Sequence, residues 1–235
     1  MSSDAFAQRA HLTELMDEPS SYEEFRDCLR DLAKVNRTVL GYRPTLAWLR
    51  QFGGACSTPL HIVDAGSGGG DTLRAIELWA RRIHLPVRLT GIDINPHAAR
   101  AARELIGADT AIGFVCANIF DWQPPAPVDL VISSIFTHHL ADADIVRFLQ
   151  WMEQTARRGW FINDLSRGRL SYYGFALLAR LMRWHRFVIH DGPVSIRRSF
   201  RREDWRRYIA AAAMDAKNAC IAPAWPGRLC VERVK

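Results

Sequence analysis

The chain has 235 residues, 49% of them hydrophobic and 24% charged, with a formal net charge of +6. These values are those of a soluble globular protein, and the length suits one domain with a well-buried core. Met1-Ser2-Ser3-Asp4 shows no basic region followed by an apolar one, and no run approaches ~20 apolar residues, so neither a signal peptide nor a membrane span is expected.

Residues 11 to 52 read as helical. Ser20 or Ser21 followed by Glu23 and Glu24 is a helix start, after which Tyr22, Phe25, Cys28 or Leu29, and Leu32 fall at helical spacing. Thr45 to Phe52 is a second short helix with Leu46 and Leu49 on one face, and Gly53, Gly54 and Ser57 to Pro59 form a joint. The apolar strand Leu60-His61-Ile62-Val63-Asp64-Ala65 then ends in an acid and runs into Gly66-Ser67-Gly68-Gly69-Gly70-Asp71, with a helix from Thr72 to about Arg82. Glycines 66, 68 and 70 permit positive φ and a close approach of backbone to a ligand, and the helix behind them offers unpaired N–H groups. A second strand, Val87 to Asp93, ends in another acid 29 residues after Asp64. An acid at that point of a βαβ unit can accept both ribose hydroxyls of a nucleoside. The turn Gly66-x-Gly68-x-Gly70 has one residue between its last two glycines where the dinucleotide pattern GxGxxG has two, so an NAD-type dehydrogenase loses ground on spacing.

Strand and helix continue to alternate, as a doubly wound, mostly parallel sheet requires. Pro96 to Ile106 is an alanine-rich helix, Ile112 to Cys116 a third strand, and Gln123 to Pro127 a proline-rich loop. Val128 to Ser134 is the fourth strand, leaving through Ile135-Phe136-Thr137-His138-His139-Leu140 at the carboxyl end, where ligands bind in open α/β sheets. Asp142 to Arg157 is an amphipathic helix, and Trp160 to Leu165 is the fifth strand, ending near Asp164. Residues 168 to 200 carry a segment apolar on most faces, which should be buried or line a cavity; a dimer interface is the alternative. His190-Asp191-Gly192-Pro193 reads as a turn, and Glu203 to Ala213 as a helix. Asp215 to Ile221 and Arg228 to Val234 read as closing strands, joined around Pro223 to Gly227. The arginines at 197, 198, 201, 202, 206 and 207 suit either an anionic partner or a solvated helix face, and the second reading is preferred. The five cysteines, at 28, 56, 116, 220 and 230, are odd in number and never spaced CxxC, which points to free thiols in a reducing, cytoplasmic setting. No His/Cys/Asp/Glu spacing suggests a metal ligand set.

The acid followed by GxGxG, the second-strand acid and the histidine-leucine exit from the fourth strand together resemble the class I S-adenosylmethionine-dependent methyltransferases. The small-molecule, ubiquinone-biosynthesis-like branch is the nearest likeness. Asn163-Asp164-Leu165-Ser166-Arg167 with the basic-aromatic insertion is also similar to methyltransferases encoded beside type III polyketide synthases. The class-level resemblance covers about residues 60 to 165 and implies a seven-stranded sheet with a C-terminal antiparallel hairpin. It implies one domain, 1–235, with a helical cap (1–55), a cofactor core (60–165), a substrate lid inserted after strand 5 (166–200) and a last helix with closing strands (201–235).

The implied cofactor is S-adenosylmethionine. It would be held by Asp64, Ala65, Gly66, Ser67, Gly68 and Gly70 at the first strand, by Asp93 and Ile94 at the second, and by Ser133 at the fourth. Asn118 would bond the adenine amine and Ile119 pack on its ring. Tyr22, Arg26, Asn36 and Arg43 would stand at the rim, unless their helices only cover a sheet edge. The implied reaction is methylation of oxygen or carbon on a small apolar or aromatic acceptor (phenolic, polyketide or quinone-like), of the kind met in secondary metabolism. A histidine suits as base because its pKa lies near neutrality. His139 and His138 follow the fourth strand, and adjacent residues point different ways, so one is expected to reach the acceptor. His139 is preferred, with capping or packing of the loop as its alternative role. Asp164 would orient that histidine or bind the acceptor, and Arg167 would hold an acidic group on it. Phe136, Tyr172, Tyr173 and Trp184 would wall the acceptor, with His185 and His190 as lesser bases. An RNA- or protein-directed methyltransferase and a non-catalytic cofactor-binding relative are the competing readings. Against the first, Ser133-Ser134-Ile135-Phe136 lacks the Asn/Asp-Pro-Pro-aromatic motif of nucleic-acid amino-methylating enzymes, so nucleic acid is not expected as a partner.

Overall fold

The structure is a computed structural model that describes residues 5–54, 58–107, 109–215 and 218–235. The N-terminal four residues, Cys56 and the Ser57 end of the expected joint lie outside the described residues. Seven strands form one sheet: β1 (Leu60–Ala65), β2 (Val87–Asp93), β3 (Gly113–Cys116), β4 (Val128–Ser134), β5 (Ala156–Leu165), β6 (Cys220–Ala224) and β7 (Arg228–Val234). Their order is β3-β2-β1-β4-β5-β7-β6. The first five run parallel, and β7 pairs antiparallel with both β5 and β6. This is the doubly wound sheet with a closing hairpin expected from the sequence. Its two wings diverge from β1, where β2 lies on one side and β4 on the other, and a crevice opens at the strand tips.

Among the described residues eight α-helices flank the sheet: α1 (Tyr22–Thr38), α2 (Arg43–Leu49), α3 (Asp71–Arg82), α4 (Ala98–Ile106), α5 (Asp142–Thr155), α6 (Arg169–Leu181), α7 (Arg186–Arg198) and α8 (Arg202–Ala211). Alternation along the strands divides the core. Leu60, Ile62, Leu130 and Ile132 pack under α2 and α3, whereas Val63, Ala65 and Val131 pack under α5 and α8 with Phe148, Trp160 and Trp205. Each fully buried side chain of this size contributes ~1.5–3 kcal/mol.

Four expectations change. First, the stretch from residue 11 to α1 holds only the short 3-10 turn Leu15–Asp17; α1 begins after Ser21, whose side chain accepts the Glu24 N–H. Second, α5 stops at Thr155 and β5 starts at Ala156. Pairing with β4 and β7 claims these residues, and at Gly159 a Cβ would lie 2.5 Å from the Arg233 carbonyl. Third, His190-Asp191-Gly192-Pro193 is no turn but the middle of α7. At Gly192 a Cβ would sit 1.9 Å from the Phe175 ring, so the glycine serves the close crossing of α6 and α7. Asp191 accepts the Leu15 and Met16 N–H groups at 2.9 and 3.0 Å, and this packing overrides the local turn preference. Fourth, α6 is apolar on most faces yet not buried: Leu170, Tyr173, Leu177 and Leu181 are exposed, while Phe175 and Leu178 face inward.

Candidate active site

The glycine turn is fastened to the tip of β2. Gly66 and Ser67 donate to the Ile92 carbonyl at 2.9 and 3.0 Å, and Gly68 donates to Asp93 Oδ2 at 2.8 Å. Asn95 donates to the other oxygen, Asp93 Oδ1, at 2.9 Å, so the carboxylate is fixed before any ligand arrives. Two glycines make this possible. Gly66 has φ +73°, and a Cβ on it would fall 2.3 Å from the Phe136 ring; a Cβ on Gly91 would fall 2.6 Å from Ser67 Oγ.

The tips enclose a cleft of about 1360 Å³. Of the residues expected to hold the cofactor, Asp64, Gly66, Ser67, Gly68, Asp93, Ile94, Asn118 and Ile119 line it. Ala65, Gly70 and Ser133 do not. Ala65 is fully buried, and Ser133 Oγ donates to the Ala65 carbonyl at 3.0 Å, tying β4 to β1. Gly70, with φ +71°, stands beside the Phe114 ring and caps α3. Burial, reinforced by Asp71 and Asp93, raises the Asp64 pKa well above the usual carboxylate range, and burial also raises that of Asp93.

A polar cluster missed in the sequence stands beside this loop. Asp71 Oδ2 accepts from Asn36 Nδ2 at 2.9 Å and from Tyr42 Oη at 2.8 Å, and Arg228 donates to Asn36 Oδ1 at 3.1 Å. Arg228 Nη1 is buried with no hydrogen-bond partner among the described residues, and Arg228 lines the cleft. Of the expected rim residues only Asn36 lines the cleft. Tyr22 instead meets His97 edge to face and lies under Arg100, Arg26 pairs with Asp27, and Arg43 opens α2.

The opposite wall is built at the exit of β4. Ile135 takes φ +50°, costly for a β-branched side chain, and turns the chain into the 3-10 segment Thr137–His139. Asp164, at the tip of β5, collects this turn. It accepts from Thr137 Oγ1, from the His138 N–H at 3.1 Å and from His138 Nδ1 at 2.7 Å. Burial alone would raise the Asp164 pKa, but His138 and Thr137 hold it well below the usual range. Asp164 therefore orients His138, not His139. The His139 Nδ1 instead meets Asp17 Oδ1 at 3.0 Å. Burial would lower the His139 pKa; the Asp17 hydrogen bond and the Glu14 and Asp17 charges outweigh it and raise it. Both rings line the cleft, their centroids 4.3 Å apart.

Glu14 and Asp17 had no signal in the sequence. They arrive on the N-terminal segment, which Arg9 pins by donating to Arg198 O at 2.7 Å, Leu140 O at 3.1 Å and Asp142 Oδ1 at 2.6 Å. Arg198 meets Asp17 Oδ2 at 2.8 Å and Glu14 Oε1 at 3.3 Å.

The expected acceptor wall needs correction. Phe136 lines the cleft, but Tyr172 packs on Phe6, Tyr173 points to solvent, and Trp184 is buried against Phe175. Arg167 is buried away from the cleft, donating to Phe6 O and Ser199 O and paired with Asp204 at 2.9 Å. The inner faces of α6 and α7 supply Phe175, Leu178, Val188 and Ile196 in their place. Of the arginine cluster, Arg198 pairs with Asp17 and Glu14, Arg202 donates to the Ile221 carbonyl and Arg207 pairs with Asp204. Cys28, Cys116, Cys220 and Cys230 are free thiols, and no helix among the described residues is long and apolar enough to cross a membrane.

Comparison with known proteins shows likeness in domain and fold. Residues 62–159 match the family described as a methyltransferase domain. Over 108 residues the chain is 28% identical to the ribosomal RNA small subunit methyltransferase G of Janthinobacterium sp. (strain Marseille), spanning 45% of this chain and about half (46%) of that protein. The plantazolicin methyltransferase BpumL, solved with a triazolic desmethylPZN analog and SAH, has a TM-score of 0.58 at 15% identity, covering 91% of this chain and 88% of that one. Human N-acetylserotonin methyltransferase, solved with SAM, has a TM-score of 0.59 at 16% identity, covering 92% of this chain and 56% of that one. At these identities the likeness to the solved structures is one of fold. The expected cofactor, S-adenosylmethionine, agrees with the ligands they hold.

Proposed function

Because the chain carries a methyltransferase domain on the class I, S-adenosylmethionine-binding fold, we propose that it methylates oxygen or carbon of a small, mostly apolar or aromatic metabolite. The observation that carries this reading is the bond from Gly68 N–H to Asp93, which sets a ribose-accepting carboxylate beside the glycine turn in the same cleft as two histidines. In this reading Asp93 takes the ribose hydroxyls, Asn118 and Ile119 the adenine, and Asp71 with Arg228 the charged amino-acid tail. The donor's methyl then faces the His138–His139 wall. Transfer from a sulfonium is an in-line displacement of an activated group, so the protein contributes alignment and proton removal. His138, held through Nδ1 by Asp164, and His139, held by Asp17, stand in the wall of the cleft beside the acceptor space. Phe136, Phe175, Leu178 and Val188 favour an apolar or aromatic body there.

The printed function of the Janthinobacterium relative raises an RNA acceptor as the second reading. Much of the arginine cluster, however, is spent on intramolecular contacts, which favours the small acceptor. Incubation with methyl-labelled S-adenosylmethionine and fractionated cell extract should label a small molecule. Label in RNA, or in nothing, would reject the proposal. By calorimetry, Asp93→Ala should weaken cofactor binding about 10- to 100-fold, the value of hydrogen bonds to a charged group; unchanged affinity would remove the ribose contact.

A further inference from the structure

We propose that Glu14, His138 and His139 form a binding site for a first-row divalent cation of the zinc type at the acceptor end of the cleft. One oxygen of Glu14 lies 3.7 Å from His138 Nε2, and the other lies 3.8 Å from His139 Nε2. These atoms are too far apart for hydrogen bonds, yet one ligand atom from each of the three residues falls within 4.8 Å of the other two. The edge of a tetrahedron with ~2.1 Å metal–ligand bonds is about 3.4 Å, and the two Glu14–histidine separations stand within a few tenths of an ångström of it.

Three further observations point to a ligand. Glu14 Oε1 and His138 Nε2 are buried with no hydrogen-bond partner among the described residues, in side chains 4% and 0% exposed. Glu14 Oε1 faces the Arg198 guanidinium at 3.3 Å without a hydrogen bond, and His138 Nε2 has no such neighbour bonded to it among the described residues. Leaving buried polar atoms unsatisfied is costly, and a cation would satisfy both. Next, each imidazole meets a carboxylate through Nδ1: Asp164 at 2.7 Å for His138, Asp17 at 3.0 Å for His139. A carboxylate there holds the proton on Nδ1 and leaves the Nε2 lone pair toward Glu14, the usual outer-shell support of a metal-ligating histidine. Finally, three carboxylates (Glu14, Asp17, Asp164) gather around the rings, with Arg198 as the guanidinium touching Glu14 and Asp17.

Two imidazoles and one carboxylate suit zinc and its first-row neighbours better than calcium or magnesium, which prefer all-oxygen shells. All three residues line the cleft, so a further coordination position would face the acceptor space. Given the methyltransferase reading, that position would take a hydroxyl or enol oxygen of the acceptor. The cation would then lower that oxygen's pKa in place of a histidine base. The ligand set itself stands without that reading.

The test uses the full-length protein stripped with a chelator and titrated with Co²⁺ and, by competition, with Zn²⁺. Wild type should bind one ion per chain with a Co²⁺ visible absorption band. Glu14→Gln and His139→Gln should each weaken binding at least 10-fold, while His84→Gln, at an exposed position after α3, should not. No stoichiometric ion, or equal binding by wild type and both ligand variants (an adventitious ion only), would overturn the proposal. SAH binding, measured on every sample, reports folding. If a variant loses it, the wild-type Co²⁺ form decides by two paramagnetically shifted imidazole N–H resonances, and fewer than two would overturn the site. A bound ion in a protein without affinity for S-adenosylmethionine would sink the methyltransferase reading and leave the cation site standing; the reverse result would do the opposite.

Discussion

Asp64 illustrates how single residues here trade stability for binding. Its Oδ1 is buried without a hydrogen-bond partner among the described residues, and burial with the Asp71 and Asp93 charges raises its pKa. The folded chain therefore keeps this proton to higher pH than the unfolded chain, whose aspartates titrate near ~3.9. Between those two values the folded state binds more protons, so ligand-free stability falls as pH rises through the window and levels off above the folded pKa. Asp64→Asn should flatten that fall and stabilise the ligand-free protein at neutral pH by about 1–3 kcal/mol. For a chain of this size that is roughly 2–4 °C in Tm per kcal/mol. The same change should weaken cofactor binding. Melts across pH 4 to 8 check it, and an asparagine variant less stable than wild type at neutral pH would contradict it.

Among elements, the N-terminal segment and α7 act as one unit. Ala10 donates to the Arg197 carbonyl, Asp191 accepts from Leu15 and Met16, and Arg9 reaches Arg198, Leu140 and Asp142 while stacking over Phe200. These contacts place Glu14 and Asp17 against the two histidines. Arg9→Ala should cost about 2–3 kcal/mol, because it removes several charge-assisted hydrogen bonds and strands buried carbonyls. It should also loosen the segment before α1. Denaturant unfolding and limited proteolysis measure the two effects. A loss under 0.5 kcal/mol with unchanged cleavage would show that the segment is held by apolar packing instead.

At the scale of the whole molecule the cleft lies between the sheet tips and a wall made of α1, the N-terminal segment, α6 and α7. A ligand there touches both sides, so it should couple them. At 100 times its Kd, SAH should add about 2.7 kcal/mol to stability. Amide exchange should slow most in α1 and α7 and least in α8, none of whose residues lines the cleft; uniform slowing would refute a bridging position. The half of this cleft proposed to take the donor was legible in the sequence as a structural unit because its residues are neighbours in the chain. Asp64, the glycine turn and Asp93 belong to one βαβ unit, whose apolar periodicity and strained turn are local properties. The acceptor half was not. The apolar run of residues 168–200 and the family resemblance point to Tyr172, Tyr173 and Trp184 as its wall, but which face of α6 turns inward depends on the crossing at Gly192. Likewise, Glu14 lies 124 residues before His138, and only the docking of the N-terminal segment on α7 brings the carboxylate to the imidazoles. By itself the sequence determined the sheet, its order of elements and the donor loop, since these follow from short-range periodicity and backbone freedom. Tertiary structure alone decided which carboxylate serves which histidine and what walls the acceptor, because those pairings depend on how distant elements pack.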